Sequence, residues 1–260
     1  MDDTHLFKKQ CAKEAQDMSS DHVLRAKTLE WIDAVAPYKY THHFKWLGLP
    51  IIQFPQDMLA MQELIWGVKP DLIIETGVAR GGSLIFYASM LAMLDYCEAA
   101  EASKALNPQT GRRRVLGLDI DIRAHNRAAI ETHPLAHKID MIQGSSIALE
   151  IIAQVHEYAR GYERILVCLD SNHTHEHVLA ELEAYAPLVS PGSYCVVFDT
   201  IIEDMPDDMF PDRPWGKGNN PLTAVHEFLK STDRFVVDKE TENKLLITVA
   251  PMGYLKCIKD

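Results

Sequence analysis

Five short apolar runs punctuate the middle of the chain, at Leu72–Glu75, Val115–Asp119, Ile139–Gln143, Ile165–Asp170 and Tyr194–Asp199. Their length and their lack of alternation fit strands buried on both faces. Between them lie stretches with helical spacing, at Ser83–Cys97, Ala124–Thr132, Ile147–Tyr158 and His175–Tyr185. Ser146 is the expected N-cap of the third of these. Strand and helix in strict alternation predict a doubly wound parallel sheet. A helix at Leu222–Leu229 and two last strands, Arg234–Val237 and Leu245–Ala250, bring the sheet to seven. The expected fold class is therefore α/β with a mostly parallel seven-stranded sheet. Residues 1–40 are charged and helix-prone, and an aromatic, proline-bounded connector follows at Trp46–Pro55. Gln56–Trp66 reads as a helix with Leu59, Gln62, Glu63 and Trp66 on one face. The chain thus divides into a helical N-terminal extension and connector, 1–66, and an α/β domain, 67–260.

Composition narrows the function classes. With 26 basic against 37 acidic residues the formal net charge is −11, which argues against a nucleic-acid or anionic-membrane partner. The five cysteines show no C-x-x-C pairing, and Cys168 and Cys195 lie inside apolar runs where free thiols behave as small hydrophobes. The opening MDDTHLFKKQ is polar, and Leu84–Leu94 is too short to cross a bilayer. A reduced, cytoplasmic protein is expected.

Ligands of open α/β sheets bind beyond the carboxyl ends of the strands, so the residues standing there carry the chemistry. The first strand ends in Glu75 and a glycine turn. Gly77, Gly81 and Gly82 let the backbone approach a ligand closely, and Ser83 starts a helix whose free N–H groups face it. The second strand ends in Asp119, placed to accept hydrogen bonds from a ribose diol. The third ends in Gly144-Ser145-Ser146, the fourth in Asp170-Ser171-Asn172-His173 and the fifth in Asp199-Thr200. The turn reads G-V-A-R-G-G and lacks the G-x-G-x-x-G of pyrophosphate sites, since Ala79 replaces the second glycine. A nucleoside cofactor without phosphate, S-adenosylmethionine, fits better.

Asp170 and Asp199 close adjacent strands, so their carboxylates should converge and require a cation; oxygen ligands favour Mg²⁺. Thr200, Glu203 or Asp204 could complete the ligand set. His173, three residues beyond Asp170, is the expected general base. Two rival readings stand beside this one. His173, His175 and His177 could form a zinc site of a hydrolase, although no thiolate pair supports it. A non-catalytic cofactor-binding partner protein is the other. The loop Pro211–Pro221 is expected to wall the acceptor pocket with Trp215.

Several stretches together resemble the cephalosporin hydroxylase family: WLGLPIIQFPQDM, DLIIETGVARGGS, GLDIDIRAHNR, LVCLDSNHTHEHVLAEL, GSYCVVFDT and PWGKGNNP. The resemblance runs from about residue 40 to the C-terminus. It implies a class I, Rossmann-like methyltransferase domain whose last strand is antiparallel. It implies a cofactor site at Glu75, Gly77, Gly81, Ser83, Asp119 and Ser146, and Mg²⁺ at Asp170 and Asp199; beside the resemblance, Asp170 is also expected at the cofactor and Thr200 at the metal. Catechol-type O-methyltransferases place a metal aspartate and a general base three residues apart; Asp170 and His173 match that arrangement, with histidine replacing lysine. The expected activity is O-methylation of a small-molecule hydroxyl, on a sugar or a glycosylated secondary metabolite, by a homo-oligomer. In one respect the chain departs from the family: Phe198 precedes Asp199 where the hydroxylase-named member carries a second acid, which leaves the third metal ligand open.

Overall fold

Two charged helices, α1 (Asp3–Ser19) and α2 (His22–Val35), open the chain in the computed structural model, which describes residues 2–260. Each starts on an aspartate: Asp2 accepts from the Thr4 N–H, and Asp21 from those of Val23 and Leu24. α2 buries Ile32 against Phe54, Ile201 and Met205, so the N-terminal segment lies over the strand ends. A hairpin of β1 (Lys45–Trp46) and β2 (Leu49–Pro50) follows. Its turn residues, Leu47 (φ +44°) and Gly48 (φ +98°), are both left-handed, as two-residue hairpins require. Trp46 packs edge-on against Phe86 and donates its indole N–H to Ser89 Oγ at 2.9 Å, which pins the connector to the domain.

The helix expected at Gln56–Trp66 is α3 (Pro55–Val68), but its buried face is not the expected one. Asp57, Ala60, Met61, Leu64 and Ile65 are buried, while Leu59 and Trp66 are 60% and 48% exposed. The 57-60-61-64-65 set is a full helical stripe; the other face needed two polar residues to complete it.

Next comes β3 (Leu72–Thr76), buried at every position, then α4 (Gly82–Glu101), β4 (Arg114–Asp119), α5 (Ala124–Glu131) and β5 (Ile139–Gln143). The chain then returns to the other side of β3 with α6 (Leu149–Ala159), β6 (Ile165–Leu169), α7 (His175–Tyr185) and β7 (Tyr194–Val197). It ends with α8 (Pro221–Ser231), β8 (Phe235–Val237), α9 (Lys239–Lys244) and β9 (Tyr254–Cys257). The sheet order is β5-β4-β3-β6-β7-β9-β8, parallel through its first five strands and antiparallel where β9 joins β7 and β8. Order and direction bear out the expected seven-stranded, mostly parallel sheet. The switch point falls between β3 and β6, where a ligand crevice opens.

Two local expectations fail. Residues Leu245–Ala250 form no strand. Asp57 claims that segment instead, accepting from the Thr248 hydroxyl and from the Val249 N–H at 2.9 Å, and the antiparallel strand comes from Tyr254–Cys257. Ser146 does not cap α6, whose N-cap is Ala148; its hydroxyl lies 3.0 Å from His177 Nε2. At the opposite edge of the sheet from the ligand crevice, Asp95 binds two nearly buried cations. Arg113 Nη1 and Lys138 Nζ each lie 2.5 Å from one of its oxygens, and Glu98 completes the cluster on Arg113. None of the helices among the described residues is long and apolar enough to cross a membrane.

Candidate active site

The strand ends do converge. Gly77 (φ +92°) passes so close to the end of β6 that a Cβ there would sit 2.0 Å from the Asp170 carbonyl oxygen. Only glycine allows this approach. The Asp119 carboxylate holds the turn from the other side, accepting from the N–H groups of Val78 (2.9 Å), Ala79 (3.2 Å) and Asp121 (3.0 Å). Ala79 itself is left-handed (φ +46°), and Asn126 donates to its carbonyl at 2.7 Å. The turn is therefore clamped open rather than filled by side chains.

Three cavities surround it. A cavity of about 420 Å³ is bounded by the Gly77–Ser83 turn, Gln53, Asp170, His173, Asp199 and Trp215. A smaller one of about 130 Å³ lies across Gly77 and is lined by Asp119, Ser145, Ser146, Ser171, Asn172 and His177. A third, of about 380 Å³, adjoins the first and is largely apolar, with Ile32, Tyr40, Phe54, Met205 and Phe210 in its wall. His173, Asp199, Arg213 and Trp215 border both large cavities. Trp215 meets the His173 ring edge-on at 4.8 Å and is covered by the Arg213 guanidinium at 5.1 Å.

At the junction of those two cavities, ligand atoms of Asp170, His173 and Asp199 all lie within 4.8 Å of one another. His173 Nε2 is 3.5 Å from Asp199 Oδ2. Asp199 adopts a left-handed backbone (φ +56°), a conformation that costs a non-glycine residue about 1–3 kcal/mol and that clusters at functional sites. Burial first, then the Asp199 and Glu75 carboxylates, hold the Asp170 carboxyl well above the usual carboxylate range. A divalent ion between the two carboxylates would remove that penalty; their oxygens suit Mg²⁺ with coordination positions left for ligand oxygens, and the His173 imidazole stands beside them.

The remaining expected residues fall into distinct places. Gly81 and Ser83 border the large cavity, and Asp119 and Ser146 the small one. Glu75 lies behind the wall, fully buried, accepting from Ser83 Oγ at 2.7 Å with its Oε1 unpartnered. Thr200 is buried, borders neither large cavity and donates its hydroxyl to the Pro251 carbonyl at 2.6 Å. Glu203 and Asp204 are also engaged elsewhere, by Asn220 and Arg25. The three histidines diverge, which removes the zinc-hydrolase reading. Helical geometry sends His175 to Thr223 and Glu227, both on α8, and His177 to Ser146, Ser171 and Glu181, leaving His173 alone at the acidic pair. Gln53 and Tyr40 border the cavities without having been expected, whereas Ser171 and Arg213 lie in segments that were. Only Gln53 carried a signal, as a lone polar residue inside the apolar PIIQFP.

Burial shifts Glu75 more than its hydrogen bonds offset, and its carboxyl is pushed up to about 8. A folded-state value above the unfolded 4.5 means that the native state holds this proton more tightly. Its contribution to stability is therefore full below pH 4.5 and declines as pH rises to about 8. Glu75→Gln is expected to flatten the fall in Tm between pH 6 and 8, where the wild type loses up to about 1.4 kcal/mol per pH unit from this group. An unchanged slope would show that Glu75 is already ionised at neutral pH.

Fold and site together define a class I, Rossmann-like methyltransferase. Residues 38–258 match the profile of the family described as Rhamnosyl O-methyltransferase/CmcI. The chain belongs to that family, the one its motifs resemble. Among curated relatives, the rhamnosyl O-methyltransferase of Mycobacterium bovis (strain BCG / Pasteur 1173P2) is 28% identical over 212 residues, 81% of this chain and 76% of that protein. Its counterpart in Mycobacterium leprae (strain TN) is 28% identical over 214 residues, 81% of each chain. Of the solved structures, CmcI with Mg and S-adenosylmethionine superposes with a TM-score of 0.54 at 19% identity, over 84% of this chain and 77% of that one. That likeness is one of fold.

Proposed function

We propose that the protein is an S-adenosylmethionine- and Mg²⁺-dependent O-methyltransferase acting on a hydroxyl of a sugar or of a glycosylated small molecule. The observation that carries this reading is the Asp170–His173–Asp199 cluster at the junction of two cavities, one bounded by the glycine turn and one walled by apolar side chains. The smaller cavity, with Asp119 and Ser146 at its edge, suits the adenosine portion of the cofactor, and the glycine-turn cavity suits its sulfonium and amino-acid portion. The apolar cavity, with Tyr40, Phe54 and Trp215, offers the flat faces on which a sugar ring and an apolar aglycone would rest. The names of the mycobacterial relatives and the family membership support a saccharide acceptor.

When bound at Asp170 and Asp199, Mg²⁺ supplies Lewis acidity that lowers the pKa of an acceptor hydroxyl. His173 accepts the hydroxyl proton at Nε2, and Trp215, packed on its edge, keeps the ring from turning away. The cavity walls hold nucleophile and methyl donor in line, and such positioning is worth up to about 7–11 kcal/mol in favourable cases. Full turnover in excess EDTA would reject the metal's part. His173→Ala is expected to lower kcat by about 10²–10⁴-fold. Mg²⁺ should still raise the Tm of that variant; loss of the Mg²⁺ response would make His173 a ligand instead of the base.

A further inference from the structure

Gln53 stands in the loop between β2 and α3 with 2% of its surface exposed, and neither its Oε1 nor its Nε2 has a hydrogen-bond partner among the described residues. Buried polar groups are nearly always satisfied, and an amide stripped of both partners bears the desolvation penalty twice. Such a side chain is kept for something that completes it. Its placement identifies the side from which that completion comes. Ile52 borders both large cavities and Phe54 only the apolar one, whereas Gln53 borders only the glycine-turn cavity. The loop is seated there firmly, because the start of α4 lacks a side chain at Gly82. A Cβ at that position would lie 2.1 Å from the Pro50 carbonyl oxygen and 2.7 Å from Ile51 Cα.

An amide offers an acceptor and a donor side by side. The complementary ligand group pairs a donor with an acceptor at the same spacing, as an α-ammonium next to an α-carboxylate does. We propose that Gln53 is a cofactor-binding residue that holds the α-amino-acid end of the sulfonium donor, its Oε1 accepting from the ammonium and its Nε2 donating to the carboxylate. This assignment rests on the methyltransferase reading above. It also accounts for the burial of Gln53: away from water, hydrogen bonds to charged groups are at their strongest.

Calorimetric titration with two ligands tests it. S-adenosylhomocysteine carries the amino-acid end, and 5′-methylthioadenosine lacks it. Gln53→Leu is expected to weaken S-adenosylhomocysteine at least about tenfold, the loss of a hydrogen bond to a charged group, while the affinity for methylthioadenosine stays within about twofold. The ligand-free variant should melt at or above the wild-type temperature, since two unsatisfied polar atoms have been removed. Gln53→Met provides the same comparison should leucine's branching disturb the loop. Unchanged binding of S-adenosylhomocysteine, or an equal loss for both ligands, overturns the assignment. A wild-type protein that binds neither ligand overturns the methyltransferase reading itself, and Gln53's role with it.

Discussion

Asp170→Asn is expected to lower kcat by at least about 10³-fold while S-adenosylhomocysteine binds within a few-fold of wild type. Asparagine preserves the shape of the side chain and the backbone contact that requires Gly77, so the turn and its cavity persist. What it removes is one of the two carboxylates that need a cation. A metal contributes several kcal/mol of charge stabilisation in such reactions, and each 1.36 kcal/mol is a factor of ten in rate. Stability gives an independent reading. In the wild type without metal, Asp170 is held next to Asp199 at an energetic cost, so the neutral variant should melt at the same temperature or higher. Added MgCl₂ should raise the Tm of the wild type by mass action and leave that of the variant unmoved. A variant with wild-type turnover and an intact Mg²⁺ response would show that the acidic pair is not a metal site.

The largest expected loss of stability lies at the other edge of the sheet. Asp95→Ala leaves Lys138, 2% exposed, as a buried cation without its counter-ion, and Arg113, 7% exposed, with Glu98 alone. Breaking a buried pair by deleting one partner costs about 3–5 kcal/mol, because the remaining charge stays desolvated. For a chain of this size the Tm should fall by roughly 10 °C. Turnover per folded molecule should stay unchanged, since the cluster stands at the start of β4 and the site at the strand ends. Asp95→Asn, which keeps the shape and hydrogen-bonding oxygen but not the charge, should fall between the two. Urea titration checks both variants; a loss under 1 kcal/mol for the alanine variant would mean that the cations reach water.

Much of the candidate site was legible before any coordinates. Asp170 and Asp199 end consecutive strands of a parallel alternation, and adjacent parallel strands bring their carboxyl ends together whatever covers them. The glycine turn was legible for a similar reason: Gly77 and Gly81 mark left-handed backbone that local chemistry demands. The divergence of His173, His175 and His177 was less so. They are neighbours in sequence, and only the neighbours packed against α7, Ser146 on one side and α8 on the other, separate them. Gln53 was hidden for the same kind of reason. An orphaned amide is defined by what fails to surround it, and a linear pattern does not contain that information.

The amino-acid sequence by itself determined the alternation of strand and helix, the acidic residues at the strand ends and the turn beside Glu75, because periodicity, glycine and strand polarity are properties of covalent neighbours. Tertiary structure decided which face of α3 is buried and that Tyr254–Cys257 rather than Leu245–Ala250 completes the sheet. It also decided that the Thr200 hydroxyl donates to the Pro251 carbonyl. Those outcomes depend on competition between distant segments for the same partners: Asp57 draws Thr248 and Val249 out of any strand, and β7 then pairs with the segment that remains.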